Sequence, residues 1–226
     1  MAGRETATKV AVSAFRSKIR SVKINVYIDS FNLYYGALKN TPYKWLDVSK
    51  MCQYLFQKHH ISKIKYFTAS VKLRPNEKDL EKPVRQQIYF RALKTISNLE
   101  VYEGSFLVNI VRMKKADNSG YVNVVKTEEK GSDVSLGAHL VNDAHKKEFE
   151  MAVVISNDSD LVEPIKIVTQ ELKLPVIIIS PYDTNTIKLR EISTSARQIR
   201  KGVLKISQFP NELSDDVGKF TKPATW

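Results

Sequence analysis

The chain has 226 residues, 42% hydrophobic and 27% charged, with a formal net charge of +12, which suits one soluble domain around one sizeable core. Its single cysteine, Cys52, excludes a disulfide framework and a cysteine-based zinc site and points to a reducing compartment. No apolar run approaches the roughly 18 residues of a membrane span, and the N-terminus lacks the apolar core of a signal peptide, so a cytoplasmic protein with no membrane partner is expected.

In chain order, "KINVYID" (23–29) reads as a strand with Ile24, Val26 and Ile28 on one face. "DVSKMCQYLFQKH" (47–59) opens on a capping aspartate and reads as a helix. A strand over 64–71 and a helix over 82–96, with Pro83 in its first turn, come next. The segment 103–127 reads as a hairpin turning on "DNSG". "SDVSLGAHLVNDAHKK" (132–147) predicts a helix with Val134, Ala138, Val141 and His145 along one face. "MAVVIS" (151–156) predicts a strand, 160–173 a helix burying Leu161, Ile165, Val168 and Leu172, "PVIIIS" (175–180) a strand, and "LREISTSARQI" (189–199) a closing helix. Strands separated by helices predict an α/β fold with a mainly parallel sheet covered on both faces.

Charge is concentrated. Residues 1–23 carry six Lys/Arg against Glu5, and residues 58–94 carry ten against three acids, which accounts for the whole excess. With Tyr66, Phe67, Tyr89 and Phe90 interleaved, the second region suits a polyanion whose bases stack on rings; the competing reading is a solvated face over buried aromatics. Lys72, Arg74, Lys82 and Arg85 are the expected phosphate contacts, on a mobile loop that leads into a helix. Lys130 is taken with them, although in "TEEKGSD" it and Glu129 also read as solvated loop charges. The four histidines lack the i, i+4 spacing of a helical zinc pair: His59 and His60 are adjacent, and His139 and His145 stand six apart.

The acids carry more information. In parallel sheets, sites form in the crevice at the carboxyl ends of strands. Asp29 ends the first strand, Asp158 and Asp160 follow a later one, and Asp133 opens a helix. Carboxylates brought together raise one another's pKa, a cost that a cation resolves. An all-oxygen cluster suits Mg²⁺ or Mn²⁺. Taken singly, Asp29, Asp133 and Asp158 are equally well explained as helix caps, and Asn32 as a partner for backbone groups in a first helical turn.

Three stretches, "VYIDSFNLYYG" (26–36), "KTEEKGSDVSLGAHLVNDA" (126–144) and "VVISNDSDLVEPIKIV" (153–168), resemble the NYN-domain proteins of the PIN-like nuclease superfamily, in order, from about residue 23 to 200. The resemblance implies a PIN-like three-layer α/β sandwich with a mainly parallel central sheet, here with an inserted β-hairpin. It also implies a nuclease dependent on Mg²⁺ or Mn²⁺, usually acting on RNA. The family's acidic and amide positions match Asp29, Asn32, Asp133, Asp158 and Asp160. Asp29, Asp133, Asp158 and Asp160 would then be metal ligands, Asp29 and Asp158 foremost, and Asn32 would orient a water or a phosphate oxygen. The organisation expected is a basic N-terminal arm (1–22), an NYN domain (23–207) and a flexible C-terminal tail (208–226). RNA is the expected partner, with single-stranded DNA and self-association left open.

Two other classes compete. "DSDLV" (158–162) fits the nucleophile motif of haloacid-dehalogenase-like phosphatases, but too little chain follows for that core and Asp29 and Asp133 go unused. A nucleic-acid-binding module that keeps the fold and the basic surface but has weak or no catalysis is the stronger alternative, against which the intact acid set argues.

Overall fold

A computed structural model describes residues 21–73, 77–183 and 187–226. The expected N-terminal arm therefore lies almost wholly outside the described residues, and Arg74 lies outside them too. Strand β1 (Lys23–Asp29) runs into a short helix α1 (Ser30–Leu33) that continues as a wider π-helical turn, Tyr34–Leu38. Then come α2 (Val48–Leu55), β2 (His60–Ala69), α3 (Lys82–Lys94) and the hairpin β3 (Leu99–Lys114) and β4 (Tyr121–Lys130). After α4 (Ser132–His145) and β5 (Met151–Ile155), a 3-10 turn at Ser159–Leu161 leads into α5 (Val162–Lys166), which widens over Ile167–Glu171. The chain closes with β6 (Val176–Ser180), α6 (Ile187–Ile192), β7 (Ser195–Gln198), α7 (Lys201–Ile206), β8 (Glu212–Asp215) and β9 (Gly218–Thr221).

The central sheet has the order β4-β3-β2-β1-β5-β6-β7, with only the β3–β4 pair antiparallel. From β1 the chain builds outward through β2 to β4, then returns across the sheet to lay β5 on the other side of β1. That reversal opens a crevice at the carboxyl ends of β1 and β5. Two buried layers follow from strand alternation. Ile24, Val26 and Ile28 of β1 face α2, α3 and α7, whereas Tyr27 faces Leu136 and Leu140 of α4 and Ile165 of α5. This is the expected PIN-like sandwich, and "DNSG" makes the expected hairpin turn: Asn118 and Gly120 take positive φ, and Asp117 accepts from the Ser119 N–H.

Three expectations are corrected. The inner face of α4 is Leu136, Leu140, Asp143 and Ala144, while Val134 is 78% exposed. An apolar-only stripe overlooks Asp143, which is buried because Lys65 and Tyr27 satisfy it. The closing helix stops at Ile192, and Ser195–Gln198 pair with β6 instead. Here the run of Ser and Thr competes for backbone bonds, Thr194 Oγ1 accepting from the Val176 N–H. Finally, residues 208–226 are folded rather than a flexible tail. Asp215 receives two bonds from Arg91 at 2.8 and 2.7 Å, the Trp45 indole donates to the Pro210 carbonyl, and Trp226 packs against Trp45 and Tyr89.

Candidate metal centre

One carboxylate oxygen from each of Asp29, Asp133 and Asp158 lies within 4.8 Å of the others. Asp29 is fixed at the end of β1. Its Oδ1 accepts the Asn32 N–H at 2.9 Å, so it does cap α1, and its Oδ2 accepts the Ser156 hydroxyl at 2.9 Å. Ser156, fully buried, in turn accepts the Asp158 N–H at 3.0 Å, and Asp158 Oδ1 accepts the Asp160 N–H at 2.9 Å. Asn32 Oδ1 accepts the Asn157 N–H at 2.9 Å. The cap reading holds for Asp29 and Asp158, and it is compatible with a shared site: capping bonds hold each carboxylate in place while lone pairs remain to face its neighbours.

Asp133 arrives from the other side, in the first turn of α4. Gly131, with φ +98°, turns the chain from β4 into this helix, and Glu129 secures the start by accepting both the N–H and the hydroxyl of Ser132 at 3.1 and 2.7 Å. Glu129 is thus a cap rather than a solvated loop charge. Gly104 is required beside it, since an added Cβ would come within 2.7 Å of the Glu129 carboxylate and the Lys130 carbonyl.

Electrostatics show the expected crowding. Burial raises the Asp29 pKa, partly opposed by the Asn32 and Ser156 bonds, and the Asp158 charge raises it further. Asp133 is pushed up to about 7, first by burial and then by the charges of Asp29, Asp158, Glu129 and Asp160. Asp160, also expected as a ligand, stands exposed outside the trio and acts on Asp133 through its charge. Sequence reasoning missed Ser156, whose signal was a small polar residue closing an apolar strand. It also missed Tyr182, whose phenol is raised by burial and by Asp29 and Asp158 and so stays a proton donor.

Among the described residues, several of the basic side chains of 58–94 are already paired: Lys63, Lys65, Arg85 and Arg91 with Glu148, Asp143, Asp79 and Asp215. Tyr66, Phe67, Tyr89 and Phe90 are buried, as the competing reading held. Lys72 is exposed, and Lys130 pairs with Glu128 at 3.2 Å, three residues before Asp133. Lys82 and Arg85 line a cavity beside α1.

An all-carboxylate trio suits a hard divalent cation. Among the described residues no helix is long and apolar enough to cross a membrane.

The NYN-domain model matches residues 23–196. The chain is similar to 6-hydroxy-3-succinoylpyridine 3-monooxygenase HspA of Pseudomonas putida, 25% identical over 91% of this chain and 75% of that one. In architecture it is similar to the crystal structure of a Vibrio parahaemolyticus protein of unknown function, with a TM-score of 0.54 and 15% identity over 81% of this chain and 96% of that one. Matched over most of its length, including all three acids of the trio, the chain belongs to the NYN-domain family of the PIN-like nuclease superfamily.

Proposed function

We propose that this protein is a metal-dependent phosphodiester hydrolase, an endoribonuclease that takes Mg²⁺ or Mn²⁺ on Asp29, Asp133 and Asp158. The convergence of these three carboxylates at the switch point of the sheet carries the reading. A divalent cation there would supply Lewis-acid polarisation of the scissile phosphate and a lowered pKa for water. The chain's own contribution is placement and charge. Ser156 and the Asn32 N–H hold both oxygens of Asp29, the Asp160 N–H holds Asp158, and Asp160 keeps the mouth of the site negative. The Asn32 carbonyl is committed to Asn157, so its side-chain nitrogen is what remains for a water or a phosphate oxygen. Lys72, Lys82 and Lys130 would meet backbone phosphates without reading sequence.

Cleavage of labelled single-stranded RNA should stop in chelator and return with Mg²⁺ or Mn²⁺. Ca²⁺, with its larger and looser shell, should restore little. Undiminished cleavage in chelator would defeat the proposal. A second reading, oxygenation of a heteroaromatic ring, has the similarity to the Pseudomonas monooxygenase in its favour. The trio contains none of the imidazoles of a two-histidine, one-carboxylate iron site, which favours hydrolysis; substrate-dependent oxygen uptake would favour the second reading.

Two consequences concern the supports of the trio. Ser156→Ala removes the hydroxyl that both orients Asp29 and accepts from Asp158, and should weaken Mn²⁺ binding by about tenfold, the lower end for lost outer-shell bonds; unchanged affinity in a calorimetric titration would show that the hydroxyl is dispensable. The Asp133 pKa near 7 lies above the ordinary aspartate value, so the folded metal-free protein binds a proton that the unfolded chain releases. Its contribution to stability is therefore present below about pH 4 and is lost as pH rises through about 7. In chelator, melting temperatures of Asp133→Asn should fall less than those of wild type between pH 5 and pH 8. Parallel curves would contradict the coupling.

A further inference from the structure

Beside the acid cluster, on the opposite layer of the sheet, lies a cavity lined by Phe31, Tyr34 and Tyr35 of the α1 segment, Tyr66 of β2, and Lys44 and Lys82. The volume open to the centres of water-sized molecules is ≈ 100 Å³. One water needs about 10–15 Å³ on that measure, so a ring system of several heavy atoms fits. Its walls are mainly apolar and aromatic. Lys44 and Lys82 are half-buried there and form no close ion pair among the described residues, although the Lys82 charge helps to lower the Asp79 pKa. Aromatic rings joined to half-buried cations are complementary to a flat heterocycle bearing a negative group.

Position narrows the ligand. Ser30 and Phe31, which line the cavity, directly follow Asp29 in the chain. A strand with a phosphate at the acid trio would therefore lie next to the segment that walls this cavity. We propose that the cavity takes one unstacked nucleobase of a single-stranded RNA, with Lys44 and Lys82 drawing the phosphate next to it; this rests on the hydrolase reading above. The base would be held by stacking, which tolerates any base, and a paired base could not enter. The cavity would thus select single strands without selecting sequence.

The test is run in chelator, so that it does not depend on cleavage. Binding of a short fluorescein-labelled oligouridylate is compared with that of the same backbone lacking bases, for wild type, Tyr35→Ala and Tyr35→Phe. Tyr35 is 51% exposed, so its truncation leaves the core intact. Tyr35→Ala should weaken oligouridylate binding by about tenfold, as for loss of one stacking ring, whereas Tyr35→Phe keeps the ring and the affinity. The baseless backbone should bind more weakly than oligouridylate to wild type, and equally to all three proteins. Equal binding of the two strands by wild type, or an unchanged Tyr35→Ala, would overturn the proposal. So would displacement of a bound fluorescent nucleotide by nicotinate but not by uridine 5′-monophosphate, which would make the cavity a small-molecule site. Failure of Mg²⁺-dependent cleavage with base-dependent binding intact would count against the hydrolase reading alone.

Discussion

Asp29→Asn and Asp158→Asn are expected to abolish RNA cleavage, by roughly 10²-fold or more, while the fold is retained. Each substitution removes one negative ligand and almost no volume. One positioning bond survives in each, since an amide oxygen can still accept from the Asn32 N–H in one case and from the Asp160 N–H in the other, whereas in Asp29→Asn the amide nitrogen takes the place of the oxygen that accepts from the Ser156 hydroxyl. Carboxylate crowding also falls. Burial and the Asp158 charge both raise the Asp29 pKa, so neither metal-free variant should melt below wild type, and Asp29→Asn should melt above it at pH 8. Cleavage at the wild-type rate in both, from parallel preparations, would remove the trio from the reaction. Loss of activity together with a lowered melting temperature would instead indicate damage to the crevice.

The largest effect on stability should come from a group that takes no part in the chemistry. Lys65 Nζ lies 2.6 Å from Asp143 Oδ2, with the two side chains 5% and 2% exposed, and the Tyr27 hydroxyl donates to the same oxygen at 2.7 Å. Burial and then Asp143 push the Tyr27 phenol well above its ordinary value, so it stays a donor. Burial and the nearby Lys65 lower the His139 pKa, which leaves the neutral ring to accept from Lys65 at 3.3 Å. Asp143→Ala strands an ammonium and a hydroxyl in the layer between sheet and α4. It should cost about 3–5 kcal/mol, or about 10 °C in melting temperature for a chain of this size. The paired replacement Lys65→Met with Asp143→Leu should recover most of that loss, because apolar groups of similar volume often replace a buried ion pair without penalty. Denaturant titration of both variants checks this; a double variant as unstable as Asp143→Ala would mean that the pair is needed for packing and not only for mutual compensation.

That network also explains what was legible in the sequence. The strands at 151–155 and 176–180 could be read because they are buried on both faces and therefore almost uniformly apolar, and 23–29 from the alternation of Ile24, Val26 and Ile28. The face of α4 could not, since one of its inward positions is an aspartate whose partners lie far away in sequence, on β1 and β2. Among the site residues, Asp29 and Asp158 followed from the rule that crevices form at strand ends, and Asp133 from its motif. Ser156 escaped because a serine after a strand says nothing until the carboxylate it holds is in place. Asp160 was expected as a ligand after Asp158, the two being two positions apart, yet it lies in the turn at Ser159–Leu161, exposed and outside the trio. Residues 208–226 read as a tail because their polar composition hides two long-range anchors, Arg91 to Asp215 and Trp45 to Pro210. The paired cations among residues 58–94 teach the same lesson: a charge count records how many positive groups exist, not how many face a ligand.

Calorimetric titration of Mn²⁺ into the metal-free protein at pH 8, for wild type and Asp29→Asn side by side, addresses the metal centre itself. Saturable binding by wild type that weakens at least tenfold in Asp29→Asn, with both proteins equally folded, is the expected result. Equal affinity in the two proteins, or no saturable binding by wild type, would mean that Asp29, Asp133 and Asp158 do not form the cation site.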